Sequence, residues 1–156
     1  LSVPQTIIHA GGTVICDKRP ESNNSKGLKQ LKPDPIYYSA RRFNSNKYIP
    51  GSYMCLSLNN KKQLKISKGG KILADNLEAA TWFKKARYEG RSEKLYHEDD
   101  IDMLGWNMYM TPQIAAQGLS LMQNIPLYNK DLDENNGYRD LTEFSIFKKC
   151  SVINDE

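Results

Sequence analysis

The chain has 156 residues, 39% apolar and 26% charged, and 22 Lys and Arg against 18 Asp and Glu leave a net charge of +4. These values describe one ordinary globular domain, long enough to hide roughly 70% of the surface its unfolded chain exposes. The mild positive charge permits an anionic ligand such as a phosphate without demanding nucleic acid. Cys16, Cys55 and Cys150 are odd in number and widely spaced, which excludes a disulfide framework and a zinc-ligand pattern and suits a reduced, cytoplasmic setting. No apolar run approaches the ~18 residues of a membrane-spanning helix, and no signal peptide is visible.

In chain order, "SVPQTIIHAGG" predicts a short helix capped by Ser2, with Pro4 in its first turn and Gly11 closing it in the left-handed conformation. "TVIC" (Thr13 to Cys16) predicts a buried strand. Residues 17–35 are rich in Pro, Asn, Ser and Lys and predict a long loop. "IYY" (Ile36 to Tyr38) predicts a short strand. "YMCLSL" (Tyr53 to Leu58) predicts another, with Met54, Leu56 and Leu58 on one face and Cys55 making the opposite face apolar as well. A lysine-rich loop follows, then Gly69 and Gly70, then a strand "KILA" (Lys71 to Ala74).

"DNLEAATWFKKARYEGR" predicts a helix capped by Asp75 or Asn76 and ended by Gly90. Ala79, Phe83 and Ala86 form its apolar stripe. "HEDDID" reads as a solvated acidic loop, since a metal site would need converging oxygens that the pattern does not identify. "MTPQIAAQGLSLMQNIP" predicts a helix with Thr111 as cap and Pro112 in the first helical position. Residues 127–156 form a polar tail with one apolar patch, "FSIF". The expected fold class is α/β, a mixed sheet with flanking helices.

Two stretches carry chemistry. "SLNNKKQLKISKGGKILADN" (from Ser57) and "GWNMYMTPQIAAQG" (Gly105 to Gly118) resemble the two signatures of the DegT/DnrJ/EryC1/StrS family of pyridoxal-phosphate-dependent sugar aminotransferases. "ATWFKKARYEGR" and "IIHAGGTVICD" resemble two further pieces of that family. The four pieces occur in the family's order and span most of residues 3–120.

The resemblance implies part of the fold-type-I aminotransferase large domain over residues 1–126, followed by a C-terminal tail, 127–156. It implies pyridoxal phosphate as cofactor, a nucleotide-linked keto sugar and an amino-acid donor as substrates, and a homodimer. By position, Lys62 matches the lysine that carries the cofactor, and Ser57 matches the serine that holds its phosphate. Asn107 matches the asparagine that reaches the phosphate from a neighbouring subunit. Tyr38 stands where the family places the aspartate that faces the ring nitrogen. Arg41, beside Arg42, offers a guanidinium for the phosphate, with a surface salt bridge as the simpler use.

The chemistry suits these residue types. Only a neutral amine attacks an aldehyde, so the lysine must be partly desolvated or close to other cations, which Lys61, Lys65 and Lys68 could supply. Two departures imply weakened cofactor binding. A phenol cannot keep the ring nitrogen protonated as a carboxylate does. The family's N-terminal phosphate turn also has no counterpart, so the chain reads as a C-terminal part or a shortened member. Two other readings stay open: a non-catalytic relative with the same fold used in assembly, and a small basic module in which the lysines of 61–71 engage nucleic acid, which the modest charge disfavours. Taken alone, Lys62 is a solvated loop lysine.

Overall fold

The computed structural model describes residues 1–17, 27–132 and 139–153. The chain divides into two compact units, Leu1–Ser25 with Asp133–Glu156, and Lys26–Leu132.

In the first unit, helix α1 spans Ser2–His9. Leu1 occupies the cap position and makes no side-chain cap bond, so Ser2 is the first helical residue and not the expected cap. Its carbonyl instead accepts from the Thr6 hydroxyl at 2.9 Å. Gly11 closes the helix at φ +81°. The strand predicted over Thr13 to Cys16 appears shorter, starting two residues later and ending one later, as β1, Ile15–Asp17. It pairs in parallel with a strand at the other end of the chain, Ser151–Ile153, here β6, with Cys16 opposite Val152. Ile15 is 57% exposed, so β1 is not the buried strand its β-branched residues predict. The apolar anchors are Val14 and the fully buried Phe147. Phe147 belongs to the "FSIF" patch and closes a 3₁₀ turn, Ser145–Phe147, inside the span read as a polar tail.

The second unit carries a four-stranded sheet in the order β2, β3, β4, β5: Lys29–Leu31, Ile36–Tyr38, Tyr53–Ser57 and Gly70–Leu73. β2 pairs antiparallel to β3, β3 parallel to β4, and β4 antiparallel to β5. β2 lies in the stretch read as a loop. "KQL" has no apolar alternation, and its pairing with β3 supplies what its side chains do not. Within that expected loop, residues 18–26 lie outside the described residues.

Helix α2 spans Leu77–Ala86, and α3 spans Pro112–Met122. Asn76, one of the two expected caps, accepts from the Ala79 amide at 2.9 Å. Asp75 instead accepts from the Gly51 amide at 2.8 Å and ties the entry of β4 to the exit of β5. α2 lies on the face of the sheet that carries Tyr53, with the Tyr53 and Phe83 rings edge to face at 5.7 Å. Ile36, Tyr53, Cys55 and Ile72 with Ala79, Trp82 and Phe83 line an open apolar groove of ≈ 560 Å³ there.

Leu58, Leu64 and Ile66 form a buried cluster packed by Phe43, Met110, Ile114 and Ile125. Gly118 lets α3 sit against it, because a Cβ at that position would stand 3.3 Å from the Ile66 Cδ1. Among the described residues no helix is long and apolar enough to cross a membrane.

Ile66 is 1% exposed at the centre of this cluster. Ile66→Ala should therefore lower stability by about 3 kcal/mol, read as a shift in the urea midpoint, and should loosen the loop that precedes it.

Candidate functional site

The lysine loop is built around its apolar residues. After β4 ends, the Leu58 amide donates to the Gly69 carbonyl at 3.0 Å, and the Ile66 amide donates to the Leu58 carbonyl at 3.1 Å. The loop is thus closed on itself at its base. Gly70 is required at the closure, since a Cβ there would meet the Leu56 carbonyl oxygen at 2.5 Å. Within the loop, Leu64 and Ile66 turn inward while Lys61, Lys65 and Lys68 are exposed. Lys62 is half-buried. Its amide closes a turn on the Asn59 carbonyl at 2.9 Å. The next residue, Gln63, donates its side-chain amide to the carbonyls of Arg41 at 2.8 Å and Lys130 at 3.2 Å.

Register places two of the sequence-nominated residues on one face. Tyr38 pairs with Cys55 across the parallel strands, so both side chains leave the same side of the sheet. Ser57 lies two residues further along β4, on that same side and about 7 Å on. Tyr38 and Ser57 are the last residues of β3 and β4. The carboxyl ends of parallel strands are where open α/β sheets hold their ligands. The turn bearing Lys62 begins two residues after Ser57.

Arg41 and Asn107 are held elsewhere. The Arg41 Nε donates to the Leu132 carbonyl at 2.9 Å, and its own carbonyl accepts from the Leu132 amide at 3.0 Å and from Gln63. Its neighbour Arg42 forms an ion pair with Asp131 at 2.6 Å, and the Asp131 carboxylate raises the guanidinium's pKa further.

Asn107 bridges Tyr88 just beyond α2, and its side-chain amide donates to Glu89 at 3.2 Å. Glycine is needed in that approach, since a Cβ on Gly105 would stand 2.4 Å from the Gly90 nitrogen. The neighbouring Trp106, Met108 and Tyr109 are 55%, 70% and 44% exposed. The acidic stretch before them is folded rather than merely solvated. Asp99 accepts from the Ser92 hydroxyl at 2.6 Å and its amide at 2.7 Å, and Asp102 pairs with Lys85. No group of three or more His, Cys, Asp or Glu able to hold a metal occurs among the described residues.

Sequence reasoning missed Gln63 and Asp131. Both act through backbone or a distant partner, and neither stands in a pattern that would single it out. Arg42 was read beside Arg41 as a phosphate candidate with a salt bridge as the simpler use, and it forms that salt bridge with Asp131.

The amine of Lys62, the hydroxyl of Ser57 and the phenol of Tyr38 make a donor set compatible with pyridoxal phosphate: a nucleophile for an aldehyde, a donor for a phosphate and a donor for a ring nitrogen. No family model matches the sequence, and no curated protein matches it. Solved structures similar in fold include these two. Helicobacter pylori PseC, an aminotransferase involved in the biosynthesis of pseudoaminic acid, aligns with 80% of this chain at 20% identity and a TM-score of 0.47, over 29% of its own length. A Bacillus cereus protein described as a PLP-dependent aminotransferase aligns with 79% at 20% identity and a TM-score of 0.44, over 28% of its length. The chain therefore spans less than a third of either protein.

The Ser92 hydroxyl and then its amide hold the Asp99 carboxyl below its ordinary pKa. A carboxylate whose folded pKa lies below the unfolded value of about 3.9 contributes its full stabilisation above that value and loses it as pH falls through the folded pKa. Protection of the Ser92 amide from hydrogen exchange, corrected for intrinsic rates, should thus hold from neutral pH to about 4 and fall below it. Asp99→Asn should remove that step.

Proposed function

We propose that the chain is part of a pyridoxal-phosphate-dependent aminotransferase of the nucleotide-sugar type, in which Lys62 carries the cofactor. The observation that supports this best is the common placement of Tyr38 and Ser57, nominated by different sequence segments. They share one face at the carboxyl ends of two parallel strands, just before the turn that bears Lys62.

When bound, the cofactor supplies the electron sink. Lys62 would bind it through its amine, the nucleophile for the cofactor's aldehyde. The same amine would also move the proton. Ser57 would donate its hydroxyl to the phosphate. Tyr38 would donate a hydrogen bond at the ring nitrogen but cannot hold a proton there, so turnover would be slow.

Arg41, whose Nε donates to the Leu132 carbonyl, is the guanidinium candidate for the phosphate. Asn107 would serve the site of a second copy in a homodimer, with the exposed Trp106, Met108 and Tyr109 at the contact. The substrates would be a nucleotide-linked keto sugar and an amino-acid donor. Tyr38 in place of a carboxylate also favours the second reading, a non-catalytic relative that keeps the fold.

Incubating the full chain with pyridoxal phosphate, reducing with borohydride and mapping the modified lysine tests the assignment. The label should fall on Lys62 and vanish in Lys62→Ala, and Tyr38→Asp should raise its yield. A label on Lys61 would mean that the register is displaced by one. An unlabelled protein would leave the non-catalytic relative as the better reading. Sedimentation equilibrium should show a dimer that Trp106→Ala weakens, and a clean monomer at high concentration would remove the shared site.

A further inference from the structure

Residues 127–132 run antiparallel to residues 41–45 and are bonded to them at nearly every step. The Ser45 amide donates to the Leu127 carbonyl at 2.9 Å. The Asn129 amide donates to the Asn44 side chain, and its side chain donates to the Phe43 carbonyl at 2.7 Å. Asp131 takes Arg42 through both carboxylate oxygens, at 3.1 Å each from Nε. Leu132 and Arg41 are joined in both directions. Gln63 is inserted across this strap. Its side-chain nitrogen donates to a carbonyl on each side, Arg41 and Lys130.

We propose that Gln63, seated in this strap, is a positioning residue for Lys62. The proposal rests on the reading of Lys62 as the cofactor-bearing lysine. Its physical content is a clamp on both sides of one residue. On the N-terminal side, the Lys62 amide is fixed to the Asn59 carbonyl. On the C-terminal side, Gln63 is fixed to the strap, and Leu64 beyond it is 4% exposed. Lys61 and Lys65 are exposed, and neither adjoins Gln63 in sequence. A lysine that must meet an aldehyde in one orientation needs its backbone held. Among the four lysines of the loop, Lys62 is the one flanked by the Asn59 turn on one side and the Gln63 strap on the other. The strap, remote in sequence, thereby sets the geometry of the loop.

The test uses the full chain without cofactor. Acylation with acetic anhydride is followed at each lysine by mass spectrometry, in the wild type, in Gln63→Leu and in Gln63→Glu, which keeps the shape but loses the donor. In the wild type Lys62 should react more slowly than Lys61 and Lys65. In either variant its rate should rise about fivefold, as expected for the loss of a local hydrogen-bond anchor. Lys61 and Lys65 should not change, nor should Lys85, which is paired with Asp102 in α2 and reports general loosening. With pyridoxal phosphate and borohydride, the label should spread from Lys62 to neighbouring lysines in the variants.

An unchanged Lys62 rate in Gln63→Leu and Gln63→Glu would overturn the clamp. So would a rise shared equally by Lys85, which would mean a general structural role. A wild-type borohydride label on a lysine other than Lys62 would overturn the cofactor reading instead, and the acylation rates would still decide the clamp.

Discussion

The burial of Leu58, Leu64 and Ile66 beneath α3 is the constraint on which the candidate site depends. Three aliphatic side chains removed from water are worth about 2 kcal/mol each, enough to fold a loop with four lysines back onto the domain. Because Leu64 and Ile66 must point in, Lys65 between them must point out. The turn that precedes them is shortened until the Lys62 amide meets the Asn59 carbonyl. The glycines close the device. Gly70 passes within contact of the Leu56 carbonyl, and Gly118 brings the helix down onto Ile66. A charged loop thus gains a defined shape from its few apolar members.

The sheet transmits that constraint to chemistry through register alone. One parallel pairing, β3 on β4, brings Tyr38 level with Cys55 and leaves Ser57 one pleat beyond. A slip of one residue would send Ser57 to the opposite face, where Met54 is 2% exposed. The clasp of Asp75 on Gly51 holds the β4 entry to the β5 exit, and the Asn76 cap starts α2 directly after it. The Gly51 amide, followed by the Tyr48 hydroxyl, holds Asp75 below the usual carboxylate range, so that clasp is charged and intact at neutral pH.

Tyr38 marks the tension in this molecule. The fold sets a phenol and a hydroxyl on one face of the sheet and a half-buried lysine in the turn that follows. A phenol, however, supplies orientation without the negative charge that would stabilise a protonated ring. The exposed Trp106, Met108 and Tyr109 beside Asn107 are also more apolar than solvent contact alone would favour.

Elements whose signal is local were legible in the sequence. The 3.6-residue stripe of Ala79, Phe83 and Ala86, the Asn76 cap and Pro112 placed α2 and α3 to within a few residues, and alternation from Tyr53 placed β4. Tyr38, Ser57 and Lys62 were nominated by motif before any geometry was known. Features that depend on a distant partner were not legible. "KQL" became β2 only because β3 offers it backbone partners, and β1 pairs with residues 151–153 from the far end of the chain. The bond from the Arg41 Nε to the Leu132 carbonyl joins residues 91 apart in sequence. Gln63 and Asp131 carried no pattern at all. Periodicity and capping are written between neighbours a few residues apart, whereas a strap across the fold is specified by complementary groups whose separation in sequence is unconstrained.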